Sequence, residues 1–89
     1  MRRQARDFAR SSSNVLVNAI APGLIRTRVA VNLAKEGSSM EKAYTEPSIL
    51  GRMGEATEVA NAALWLSSEE CSYMTGELLR ISGGMTAAL

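Results

Sequence analysis

The sequence predicts an α/β fold, and more narrowly one side of a parallel sheet whose other strands lie outside this chain. Residues 15–21 are apolar at both parities except Asn18 and stop abruptly at Pro22-Gly23. That is the pattern of a strand covered on both faces, because successive side chains point to opposite sides of a sheet. Residues 55–69 carry the strongest helical period, with Val59, Ala60, Ala62, Ala63, Leu64 and Leu66 spread over ~200° of the wheel and Trp65 beyond that arc. Residues 77–82 then form a second short strand closed by Gly83-Gly84. Two strands do not make a stable, doubly covered parallel sheet, since each needs neighbours to satisfy its edges.

The bulk properties bound the rest. At 89 residues the chain holds one small domain, and 46% hydrophobic with 21% charged residues is a globular composition. A net charge of +1 supplies no field for gripping phosphates or an anionic membrane. No run reaches the ~18 apolar residues of a membrane helix, and no apolar signal core follows the basic start. Histidine is absent, which removes imidazole bases, Ser-His-Asp and Cys-His arrangements and His-containing zinc sites. Cys71 is the one cysteine, so no internal disulfide or thiolate cluster forms; a small buried hydrophobe is expected, with a reactive thiol as the alternative. This cysteine usage suits a reducing cytoplasm.

Taken in order, the chain begins with an amphipathic stretch in which Ala5, Phe8 and Ala9 share one face and Arg2, Arg3, Arg6 and Arg10 the others. It reads as the solvated side of a surface helix. The arginines followed by Ser11-Ser12-Ser13 leave a targeting segment or a phosphate patch as alternatives, and Asp7 counts against targeting. The strand of residues 15–21 follows. In open parallel sheets ligands bind beyond the carboxyl ends of strands, so Pro22-Gly23 is a candidate site where glycine allows close approach. Residues 27–53 have no clean period. Val29, Leu33 and Met40 mark one or two short helices, and Gly37-Ser38-Ser39 and Pro47 interrupt them. An excursion of this kind after a strand end is either a lid or an ordinary surface connection. Within it, the mixed charges of residues 28–50 predict few buried contacts and fast hydrogen exchange, against slow exchange over residues 59–66. The 55–69 helix is capped by Glu55 or Thr57, and its apolar width calls for a sheet beneath and further protein above.

These residues carry a resemblance. Val17-Asn18-Ala19-Ile20-Ala21-Pro22-Gly23-Leu24-Ile25-Arg26-Thr27 resembles the Asn-Ala-x-x-Pro-Gly-x-aliphatic-x-Thr segment of the short-chain dehydrogenase/reductase family. The stretch from Gly51 through Ser68 is similar to the family's next helix and its lead-in, and Ser72 through Gly84 to its last strand and terminal turn. The resemblance covers almost the whole chain. It implies the C-terminal part of a Rossmann-like, doubly wound parallel sheet, incomplete on its own, with residues 1–11 as the end of the preceding helix and 28–50 as a substrate lid. It further implies NAD or NADP as cofactor of the complete domain. The backbone at Pro22, Gly23 and Ile25 would meet the nicotinamide or its carboxamide, and the Thr27 hydroxyl would bond the carboxamide or pyrophosphate.

The family's phosphate-binding glycine fingerprint, Asn-Asn-Ala-Gly segment, catalytic serine and Tyr-x-x-x-Lys pair have no counterpart among these 89 residues; Tyr44 is followed four positions later by Ser48, and Tyr73 by Glu77. The Tyr-Lys pair would fall just upstream of Met1. Ser82 and Ala56 stand where the family often has Asp and Pro. The chain is therefore expected to be inactive alone, with no catalytic or metal-binding residue of its own. The resemblance implies a small-molecule substrate under the lid and a homo- or hetero-oligomer with related subunits, without nucleic acid or membrane. Part of an NAD(P)-dependent carbonyl or alcohol oxidoreductase, a non-enzymatic docking module and an inert remnant are the readings it leaves open.

Overall fold

The computed structural model describes residues 1–11 and 15–85. The order of elements is α1 (Arg2–Arg10), β1 (Ala19–Pro22), α2 (Arg28–Leu33), α3 (Ser39–Thr45), α4 (Ala56–Leu66), a 3-10 turn (Glu69–Cys71) and β2 (Leu78–Ile81). Strands β1 and β2 pair in parallel, with Ala19 opposite Leu78 and Pro22 opposite Ile81. The connection between them contains α4, as a parallel crossover requires. The chain is thus α/β with a small parallel sheet, and its shape is extended. Its radius of gyration is 16.1 Å, against about 12 Å for a compact domain of this length.

Both strands are shorter than the apolar runs that mark them. The run 15–21 enters the sheet only at Ala19, because Val17 and Asn18 are tied to the opposite chain largely by side chains. Thr75 Oγ1 accepts from the Val17 N–H at 3.0 Å. The Asn18 amide donates from Nδ2 to the Met74 carbonyl at 3.0 Å and accepts at Oδ1 from the Glu77 N–H at 3.1 Å. Asn18, the one polar residue of the run, is therefore the clamp that sets the β1–β2 register. Neither strand is covered on both faces within this chain: β1 and β2 contain no fully buried residue.

Helix α4 begins at Glu55 as N-cap. The Glu55 N–H donates to Glu58 Oε1 at 2.9 Å, satisfying one of the donors that a helix start leaves unpaired. The helix ends earlier than the period suggests. Ser67 Oγ donates to the Ala63 carbonyl and Ser68 Oγ to the Trp65 carbonyl, and a 3-10 turn follows. Val59, Ala62, Ala63 and Leu66 are half-buried toward the sheet, while Leu64 and Trp65 face outward at 72% and 45% exposure. No residue of α4 is buried.

The buried apolar cluster lies elsewhere. Ala30 and Ala34 meet Met53, with Leu24 packed against them, and Met53 at 1% exposure is the largest fully buried side chain among the described residues. Thr45 and Ser48 are buried beside them in sequence, their hydroxyls bonded to the carbonyls of Glu41 and Thr45. The expectation that residues 28–50 make few buried contacts holds over most of the segment, which is exposed, and fails chiefly at Ala30 and Ala34. The reason is Met53, a long unbranched side chain from outside the segment that fills the space beneath α2. At the other end of the molecule Ala5 of α1 packs close to Gly76, whose φ of +72° favours glycine. Cys71 is buried, with its thiol 3.6 Å from Met74 Sδ, the small-hydrophobe role.

Candidate functional site: the carboxyl end of the first strand

The site grows from the end of β1. Beyond Pro22 the chain stays extended and crosses from β2 to the lead-in of α4. The Gly23 N–H donates to the Ile81 carbonyl at 2.9 Å. Two residues on, the Gly54 N–H donates to the Leu24 carbonyl at 2.9 Å and the Arg26 N–H to the Gly54 carbonyl at 2.8 Å, making a parallel bridge between Ile25 and Gly54. In such a bridge the central residue turns its own N–H and C=O to the opposite side. The Ile25 carbonyl is taken by the Thr27 N–H at 2.7 Å in a tight turn, leaving the Ile25 N–H aimed away from Gly54.

Thr27 is the N-cap of α2: its Oγ1 accepts from the Ala30 N–H at 3.3 Å. Accepting leaves the hydroxyl hydrogen to donate elsewhere. Gly23 is required by packing. A Cβ there would lie 2.8 Å from both Cα and Cβ of Ser82, and backbone at that distance does not yield. The sequence reading of Gly23 as a place for ligand approach missed this closer reason, because Ser82 is fifty-nine residues away in sequence and beside Gly23 only in space.

Two hollows open on this strand end. One, of about 510 Å³, is lined by Pro22, Gly23, Leu24, Ile25, Thr27, Val29, Ala30 and Leu33. The other, of about 500 Å³, shares Pro22, Gly23, Leu24, Ala30 and Leu33 and adds Ala34, Tyr44 and Met85. The four positions singled out from sequence, Pro22, Gly23, Ile25 and Thr27, therefore line a single hollow. Tyr44, which lacks a lysine four positions later and is not among the site positions expected from sequence, lines its neighbour; no local signal marks it, since its place depends on how α3 returns toward β1.

Charge is kept to one side. Arg26 Nε donates to Glu55 Oε1 at 2.9 Å, and Arg52 reaches Glu58 through Nη1 at 2.9 Å and Nη2 at 3.1 Å. The Arg52 hydrogen bonds, followed by the Glu55 N–H, hold the Glu58 carboxyl down at about 2, and its ionised form is favoured. Hydrogen bonding to Glu55 raises the Arg26 guanidinium above its usual value, and Glu58 does the same for Arg52. Both pairs are exposed, so their contribution is screened by salt. The Arg26–Glu55 pair ties the segment after β1 to the start of α4, and the Arg52–Glu58 pair ties the lead-in of α4 to its first turn. Among the described residues no cluster of His, Cys, Asp and Glu could hold a metal ion, and no helix is long and apolar enough to cross a membrane.

A parallel strand pair with a ligand-sized hollow at its carboxyl end is the arrangement of an open α/β sheet, in which ligands bind beyond the strand ends. Comparison with known proteins narrows this. A family model described as enoyl-(acyl carrier protein) reductase matches residues 1–86. The chain is 49% identical over 72 residues to the 3-oxoacyl acyl-carrier-protein reductase FabG of Aquifex aeolicus, covering 81% of this chain and 28% of that protein. It is 45% identical over 76 residues to glucose 1-dehydrogenase 2 of Bacillus subtilis, covering 85% and 29%. The structure of a 4-hydroxyisoleucine dehydrogenase mutant complexed with NADH and succinate superposes with a TM-score of 0.84 at 26% identity, over 97% of this chain and 34% of that one. The chain belongs to the short-chain dehydrogenase/reductase family of oxidoreductases. It spans under a third of the length of these curated relatives.

Proposed function

We propose that this chain supplies the nicotinamide-side wall and the substrate lid of an NAD(P)-dependent short-chain dehydrogenase/reductase acting on a carbonyl or alcohol, and that by itself it carries no catalytic group. The observation that supports the reading most is the convergence of Pro22, Gly23, Ile25 and Thr27 on one hollow at the end of β1. The hollow suits the flat nicotinamide end of the cofactor: its walls are apolar, with the Ile25 N–H and the Thr27 hydroxyl as candidate donors for a carboxamide. No charged side chain lines it, so the phosphates need partners from other parts of a complete domain. Bound there, the cofactor supplies or accepts the hydride. This chain's residues orient the ring, and residues 28–50 exclude water from it. A cytoplasmic setting goes with this role.

Two measurements test it. The purified chain should oxidise neither NADH nor NADPH with carbonyl substrates. Grafted in place of the matching segment of the Aquifex aeolicus reductase, it should restore turnover, and Thr27→Val in that chimera should raise the cofactor KM several-fold with little change in kcat. Turnover by the chain alone would overturn the claim that it carries no catalytic group. A folded, active chimera indifferent to Thr27→Val would overturn the nicotinamide-side wall.

The outward face of α4 favours a second reading, a module that docks onto related subunits as a homo- or hetero-oligomer. Leu64 and Trp65 are exposed there, and burying each would contribute about 1.5–3 kcal/mol. Sedimentation of the chain with and without Leu64→Asp separates the two: oligomers abolished by the substitution support docking, whereas a monomer in both removes it.

A further inference from the structure

The second hollow carries an inference about substrate class, which rests on the lid reading above. Helices α2 and α3 bear Arg28, Glu41 and Lys42, and Lys35 and Glu36 stand between them. None of these charges lines the hollow. Its walls are Pro22, Leu24, Ala30, Leu33, Ala34 and Met85, and the one polar side chain is that of Tyr44, half exposed at 49%. The short helices thus present apolar residues inward from a segment of mixed composition, so the lining is selected by geometry. A polyol placed here would strip water from several hydroxyls and find one partner. Each unpartnered hydroxyl weakens binding. An alkyl chain sheds its water without losing a hydrogen bond, and its burial is favourable.

We propose that this hollow takes the uncharged aliphatic portion of the substrate, with the Tyr44 hydroxyl as its single polar contact at the rim, and that sugars and polyols are poor occupants. Family membership does not choose between these classes, since the relatives named above include both an acyl-carrier-protein reductase and a glucose dehydrogenase. The walls that this chain contributes favour the aliphatic one. At about 500 Å³ the hollow is of ordinary small-ligand size, and an open apolar wall makes affinity depend on chain length.

The test is titration of the full chain, labelled at methionine methyls, with methyl n-alkyl ketones from butanone to decanone and with sorbitol. Met85 lines the hollow and reports binding; Met53 lies in the buried cluster and reports folding. The Met85 signal should shift saturably, with affinity rising about two- to fourfold per methylene until the hollow is filled. Sorbitol should bind at least about a hundredfold more weakly than octanone. Leu33→Asp, at an exposed rim position, should weaken the ketones at least tenfold while leaving Met53 unmoved. Tyr44→Phe should lower all ketone affinities by a common factor and keep the chain-length slope. Equal shifts with sorbitol, an absent slope, or a Met53 signal typical of an unfolded chain would each overturn the proposal. The readout needs no cofactor, so a Thr27→Val result that sinks the nicotinamide wall leaves this slope to stand or fall separately.

Discussion

Residues 24–53 and helix α4 make an instructive pair. The first is a charge-bearing, glycine-interrupted segment with no helical period, yet Ala30, Ala34 and Met53 are buried there with Leu24 against them. The second is the most apolar helix of the chain, and none of its residues is buried. Apolar content and burial have come apart. A small cluster closes when one long side chain reaches the right gap, and Met53 does so locally. A helix apolar over ~200° needs two covering surfaces, and a two-stranded sheet provides part of one. The cohesive part of this chain is therefore the wall of the candidate site, while α4 is organised for neighbours beyond it.

Substitutions can break this contrast. The largest effect is expected from Met53→Ala, which empties the cluster and should cost about 2–5 kcal/mol; denaturant unfolding followed by α2 amide exchange checks it, and a loss below about 1 kcal/mol would mean the cluster is not what holds the wall. Next comes Gly23→Ala. The added methyl meets Ser82 backbone at 2.8 Å, so about 1–3 kcal/mol should be lost by overpacking, with exchange accelerated at Gly23 and its neighbours but not in α4.

A smaller, pH-dependent effect sharpens the role of the ion pairs at the start of α4. Glu58 sits at about 2 in the folded chain against an ordinary 4.5. A depressed carboxyl contributes stability above its unfolded value, and that contribution is lost as pH falls from about 4.5 toward 2. Unfolding midpoints measured across this window should decline more steeply in the native chain than in Glu58→Gln, and less so at high salt. Parallel profiles would remove Glu58 from the account. The smallest effect should be Leu64→Ala in the monomeric state, within about 0.5 kcal/mol. A loss of several kcal/mol there would show that the outer face of α4 is covered within the chain, and the comparison would fail.

Much of this was legible in the sequence, and for identifiable reasons. The helix at α4 follows from period, the strand ends from Pro22-Gly23 and Gly83-Gly84, and the family from motifs around Asn18 and Gly51, while the helix start was narrowed to Glu55 or Thr57 and the structure uses Glu55. These are local signals, set by backbone preferences within a few residues. The order helix, strand, excursion, helix, strand and the need for missing strands likewise follow from patterning. Asn18 was visible as the odd polar residue of its run, but its clamp on Met74 and Glu77 was not.

Tertiary structure alone decided what depends on distance in space. Gly23 meets Ser82, Ile25 bridges Gly54, and Tyr44 lines the same hollow as Pro22. These pairings depend on how the crossover returns, and no residue's own preference encodes that return. The inversion of burial between residues 24–53 and α4 has the same cause. Hydrophobic pattern states which faces seek cover, but whether cover is present depends on which surfaces the chain brings within van der Waals reach. Here Met53 is covered by partners among the described residues, while Leu64 and Trp65 remain exposed.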